Sequence, residues 1–152
     1  MTPKRFFAVF AIGEAVTWAL LIAGMVLKYG TRTTDALVSI GGALHGFMFL
    51  AFVVATLVVG LSQGWKWWVT LLGVLSAIPP FFTIPFDWWV TKSGRLDGGW
   101  QLAPGGPDSR EPRTALERAV RWCFGHALLA GLVLAGLVVV VFVALMISGP
   151  PV

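Results

Sequence analysis

Four stretches of this chain are apolar for twenty residues or more: 6–27, 36–61, 67–86 and a last one from Trp122 to Ile147. Polar residues gather between them. About 20 apolar residues is the length at which an α-helix crosses a bilayer core, so the pattern predicts an all-α membrane protein, a bundle of four transmembrane helices. The second run, 36–61, is 26 residues with no formal charge and has His45 near its middle. The first carries one carboxylate, Glu14.

The punctuation supports this division. Lys28, Tyr29 and Gly30 close the first run with a snorkelling cation, an interfacial ring and a helix breaker. The short link 31–35 makes the first two spans antiparallel neighbours, with Asp35 as the N-cap of the second. Within that second span, Gly42 and Gly46 form a GxxxG that packs against the first span or forms a dimer face. In the third run Trp65, Trp67 and Trp68 mark one interface and Trp88 and Trp89 the other. Pro79 and Pro80 remove two successive backbone donors, which predicts a helix kinked or unwound near Ile78. Its last residues continue as a short re-entrant or interfacial piece.

Residues 87–113 are the one long polar stretch, rich in Gly and Pro, and read as a loop after a three-span core at 1–90. Thr114 and Glu117 then form a capping box that opens the fourth helix within 114–152. That helix carries Ala127, Gly131 and Ala135 as a small-residue face, and Gly149-Pro150-Pro151 ends it. With four spans, both ends of the chain and the loop 62–66 share one side, and Ser109 lies on the other. Lys4, Arg5 and Lys66 fall on the first side, and the other eight Lys and Arg on the second. The first span has two cations on each flank, and the long loop is also rich in carboxylates, so the sequence does not decide orientation.

Composition narrows the class further. The chain is 57% hydrophobic and 12% charged, with a mean hydropathy of +0.84. Soluble domains carry about 25% charged residues. The net charge of +4 is read as Lys and Arg facing anionic headgroups, not nucleic acid. Lys4 and Arg5 before an apolar run resemble a signal peptide, but the run is long and holds Glu14; a retained helix is expected. The single Cys123 excludes an internal disulfide and a Cys-based zinc site.

Glu14 and His45 are the candidate intramembrane polar site. Glu14 lies about 12 Å along its helix and His45 about 13 Å along the next from the opposite face, so antiparallel packing brings them to similar depth. An isolated charge there costs at least a few kcal/mol, so a hydrogen bond between the two, direct or through one water, is expected. Three readings stand: a structural pair that specifies helix packing; a protonatable pair for proton- or ion-coupled movement; or His45 as a haem or metal ligand, with His126 as a second axial ligand. No nucleophile with its base, phosphate loop or zinc motif is present, so neither catalysis nor a cofactor is expected.

At these positions a family resemblance emerges. Glu14-Ala15, Lys28-Tyr29, His45-Gly46, Ser76-Ala77-Ile78-Pro79-Pro80 and Phe86-Asp87 follow a common pattern. Over residues 5–90 the chain resembles domain-of-unknown-function family 3817, small integral membrane proteins of bacteria. The family usually has Glu-Gly where this chain has Glu14-Ala15, and the long loop and fourth span are additions. The resemblance implies the three-helix core and its polar positions, and no reaction. The expectation is an accessory or scaffolding subunit in the bacterial cytoplasmic membrane, packed against other subunits or copies of itself. The alternative is a small transporter or proton-coupled permeation protein using Glu14 and His45.

Overall fold

A computed structural model describes residues 1–30, 32, 34 and 36–148. Every regular element among them is helical: α1 Pro3–Met25, α2 Ala36–Ser62, α3 Trp67–Leu75, α4 Thr83–Lys92, α5 Ala115–Gly125 and α6 Ala127–Ser148. Three helical stretches are long and apolar enough to cross a membrane: Pro3–Gly30, Ala36–Ser62 and Ala127–Ala144. Asp35 and the stop at 149–151 lie outside the described residues.

α1 starts where Thr2 caps it, its hydroxyl accepting from the Arg5 amide at 3.3 Å, with Pro3 preset for the first turn. It ends in one wide turn at Val26–Gly30, where the Lys28 ammonium sits 5.4 Å from the Tyr29 ring centre. α1 and α2 pack antiparallel and close. A Cβ on Gly24 would stand 2.7 Å from the Val38 amide nitrogen, and one on Gly41 3.2 Å from the Leu20 backbone. Those two glycines, not the Gly42/Gly46 pair, bring the helices together. Gly42 meets only the Leu21 side chain, and Gly46 faces Phe142 of α6.

The third apolar run does not cross. α3 stops at Leu75, residues 76–82 form turns, and α4 begins at Thr83. The chain reverses there. At one end of the hairpin the Trp65 indole donates to the Arg95 carbonyl at 3.0 Å, and the Trp68 and Trp89 rings lie 6.2 Å apart. At the tip, the Trp18 indole donates to the Ala77 carbonyl at 3.3 Å. Trp18 lies about 18 Å along α1 from Phe6, so the hairpin enters about half the bundle and returns. The expected single kinked helix is therefore two short helices. The physical cause is the proline pair: without two donors the helix stops, and Phe81 takes a left-handed φ of 64° that turns the chain. Trp88 and Trp89 consequently share the end of Trp65, Trp67 and Trp68, and do not mark the opposite interface.

This reversal moves the long loop. The Leu102 amide donates to Ser62 Oγ at 3.4 Å, the Gln63 amide group to the Gly99 carbonyl at 3.1 Å, and the Trp100 indole to the Met1 carbonyl at 2.9 Å. The loop 93–113 thus sits at the Met1 end of the bundle. Thr114 caps α5, accepting from the Glu117 amide at 3.2 Å, while the Glu117 carboxylate reaches back to the Arg113 amide. The capping box forms, shifted by one residue. The helix it opens breaks at His126 (φ −124°, ψ 48°), so the expected fourth span is an amphipathic α5 followed by a separate α6. α6 runs antiparallel to α2 with Phe142 over Gly46, which carries residue 148 to the Lys28 end, away from Met1. The four-span reading expects the last helix to end on the side of Met1; residue 148 instead lies at the opposite end. Of the eleven Lys and Arg, only Lys28 and Arg32 stand at the far end.

The core gathers at the Met1 end, where Phe7, Phe52, Val59, Val69, Phe86 and Val90 are buried together. Phe7 is its hub, with ring centres of Phe52, Trp65 and Phe86 at 5.5, 5.7 and 6.0 Å. Two outcomes follow. In a chain with Cys123 replaced by Ala, cysteines introduced at Lys66 and Ser109 will react with a membrane-impermeant maleimide from one face, and one at Tyr29 from the other. Gly24→Ala will lower unfolding stability by about 1–3 kcal/mol, since the methyl meets backbone that cannot rotate away; steric-trap unfolding in micelles reads the change.

Candidate functional site

Glu14 and His45 do converge. Glu14 is wholly buried, and its Oε1 lies 3.9 Å from His45 Nδ1, where the imidazole is 13% exposed. That distance is beyond a direct hydrogen bond. Of the expected hydrogen bond, direct or through one water, the direct form is not made; Thr17 instead stands between His45 and the Glu14 backbone. The Thr17 hydroxyl donates to the Glu14 backbone carbonyl at 2.9 Å, and its oxygen lies 3.3 Å from His45 Nδ1. Nδ1 donates to that oxygen while the Thr17 hydrogen stays on the carbonyl, and accepts from it when the hydroxyl turns to the ring; which holds depends on the imidazole tautomer. The Trp18 ring packs on the imidazole, centre to centre 4.3 Å. Helix spacing explains the grouping: Glu14, Thr17 and Trp18 lie within one turn on the face that α1 turns to α2.

The partner that sequence reasoning missed comes from the hairpin. The buried Thr83 hydroxyl lies 3.2 Å from Glu14 Oε2 and 3.0 Å from the Ala11 carbonyl. A hydroxyl has one hydrogen. Donated to Glu14, it serves an ionised carboxylate; donated to Ala11, it leaves Thr83 Oγ1 to accept from a protonated carboxyl. The geometry accommodates both forms. Glu14 Oε1 has no hydrogen-bond partner among the described residues. A signal for Thr83 did exist: it is the first polar side chain after Pro79-Pro80, at the depth a reversed chain would bring to Glu14.

The anchors and the second histidine fall elsewhere. Lys28 and Tyr29 lie at the far end; the five tryptophans from 65 to 89 ring the Met1 end. His126 is exposed beside Trp122, with ring centres 4.6 Å apart. With Phe142 level with Gly46, His126 is roughly 25 Å in depth from His45, so the two cannot share a haem. No cluster of three His, Cys, Asp or Glu side chains occurs among the described residues.

Thr83→Val keeps the shape and removes the hydroxyl, and with it the Thr83 hydrogen bond to the Glu14 carboxyl. A buried polar group so deprived costs about 1–3 kcal/mol. The variant will unfold earlier by that amount in micelles, and Thr83→Ser will recover most of the loss. Equal stability of the valine and serine variants would show that the hydroxyl contributes nothing.

Known proteins place this site within a family domain. A protein of Streptomyces coelicolor named "Putative membrane protein SCO5905" is 45% identical over 93 residues, which are 60% of this chain and 11% of that protein. A protein of Dechloromonas aromatica named "Probable potassium transport system protein Kup 1" is 33% identical over 88 residues, 57% of this chain and 13% of that one. The chain thus spans only about a tenth of the length of these curated relatives. No solved structure matches. Residues 4–92, which contain α1, α2, the hairpin and the whole Glu14 site, match the family described as "Domain of unknown function (DUF3817)", and the chain belongs to that family.

Proposed function

We propose that this chain is a non-enzymatic packing module of the bacterial cytoplasmic membrane, an accessory or scaffolding element for larger membrane proteins. One observation carries the reading: Glu14 is sealed from the surface and its contacts join three elements, Thr83 of the hairpin, His45 of α2 and its own α1. A group used that way specifies how helices pack. Two further features agree. The relatives' matched stretches are small parts of far longer chains. α6 turns a broad face outward: Leu128, Leu132 and Ile147 are 87%, 73% and 81% exposed, and nothing lies within 4 Å of a Cβ built at Gly131 or Gly136. Such a face suits a partner helix or a second copy. The hairpin takes the third place in a four-membered bundle without crossing. Nine cations at the Met1 end support a cytoplasmic position for that end.

A second reading has its own support. Glu14 Oε1 is unpartnered, Thr83 suits either protonation form, and one relative's name concerns potassium transport. In it, Glu14 and His45 serve proton- or ion-coupled permeation. Glu14→Gln separates the two. The packing role predicts an intact fold, unchanged retention of partner proteins in mild detergent, and no pH-driven flux in vesicles from either form. A proton-linked flux in wild-type vesicles that Glu14→Gln abolishes would overturn it.

A further inference from the structure

At the Met1 end a cavity of about 620 Å³ opens between the end of α2, the start of α3 and the first turn of α5. Its two halves differ in chemistry. Leu57, Trp67 and Leu116 form an apolar mouth and are 44%, 77% and 67% exposed. Leu57 lies five residues before Ser62, so this half reaches about 7 Å below the end of α2, into the acyl layer. The other half presents Gln101, Arg110, Arg113 and Glu117.

The charges in that polar half do not cancel. Arg110 Nη2 bonds Glu117 Oε1 at 2.8 Å and the Leu61 carbonyl at 3.0 Å, and Arg110 Nε bonds Gln101 at 3.2 Å. Arg110 and the Arg113 amide hold the Glu117 carboxyl down at about 2, so it stays ionised and the Arg110 pair is neutral. Arg113 is left over: exposed, lining the cavity, and without a side-chain ion pair among the described residues. An uncompensated guanidinium in a polar half that also holds the Gln101 amide, above an apolar slot, is complementary to a phosphodiester that carries a fatty chain. The surroundings reinforce it, since Lys66 and Arg118 stand at the same end.

We propose that this cavity binds one anionic phospholipid of the adjoining leaflet, its headgroup phosphate on Arg113 and an acyl chain along Leu57, Trp67 and Leu116. The lipid adds a further link between α2 and α5, which also pack on each other directly and share the Arg110 contacts. The site lies outside the Glu14 cluster and is independent of the packing role.

Native mass spectrometry of the full chain tests this, after exchange into detergent with equal phosphatidylglycerol and phosphatidylcholine. Retention of a single phosphatidylglycerol is expected, preferred about fivefold, which is what one surface cation contributes. R113Q, whose backbone contact to Glu117 is untouched, will remove the preference. R118Q, also on α5 but outside the cavity lining, will keep it. Equal retention of both lipids by the wild type would overturn the proposal, as would equal losses in R113Q and R118Q, which signal a diffuse surface charge. Displacement of the lipid by soluble glycerol 3-phosphate at matched concentration would also overturn it, assigning the site to a free phosphate.

Discussion

A carboxyl at bilayer depth has no water to turn to, and the fold around Glu14 is arranged by that constraint. Among lipid tails the group must be neutral, hydrogen-bonded or matched by charge. Here three separate pieces of chain meet it: Thr17 and Trp18 hold the imidazole of His45 beside it, and Thr83 arrives from the hairpin. The contacts link residues up to 69 positions apart. They fix the rotation of α1 against α2 and the depth of the hairpin tip at once. Buried polar groups of this kind favour one packing over the apolar alternatives that Leu and Val alone would tolerate.

The hairpin itself raises a second demand. Irregular backbone at membrane depth must be satisfied by protein. Residues 76–82 meet it locally and from α1. Ser76 donates its hydroxyl to the Gly73 carbonyl at 2.6 Å, the Ile78 amide reaches the Leu75 carbonyl at 3.1 Å, and the Trp18 indole covers the Ala77 carbonyl. Pro79 and Pro80 need no acceptor for their nitrogens. The proline pair that stops the helix thus also lowers the number of backbone donors the tip must place. Close packing lets the hairpin sit deep: Gly73 leaves room for Thr56 and the Phe86 ring, and Gly60 for Thr70.

Much of this was legible in the chain. Run length placed α2 to within one residue and α1 to within three, since apolar length against bilayer thickness is a strong signal. Glu14 and His45 stood out because each is the lone titratable group of its run, and the short link forced their helices together. What the pattern does not carry is direction. A run of twenty apolar residues broken by two prolines reads the same whether the chain continues or turns back. That single ambiguity displaced Trp88, Trp89, the long loop and the end of α6 together. Once the run reverses, Lys92, Arg95 and the loop arginines join Lys4, Arg5 and Lys66, and the contested charge distribution becomes one-sided. Thr83 was hidden for the same reason. Its partner lies across the bundle only in the reversed path. The break at His126 had no sequence marker beyond the adjacent Gly125.

The reversal of residues 67–92 between α2 and the polar loop is the central claim, and a distance measures it directly. Spin labels at cysteines replacing Lys66 and Lys92, in a Cys123→Ala chain reconstituted in nanodiscs, report it by double electron–electron resonance. Two ends of one hairpin will lie within about 20 Å, given neighbouring axes about 10 Å apart and the reach of the labels. A continuous crossing helix would separate the same 26 residues by about 39 Å; a distribution centred there would contradict the hairpin and, with it, the placement of Thr83 against Glu14.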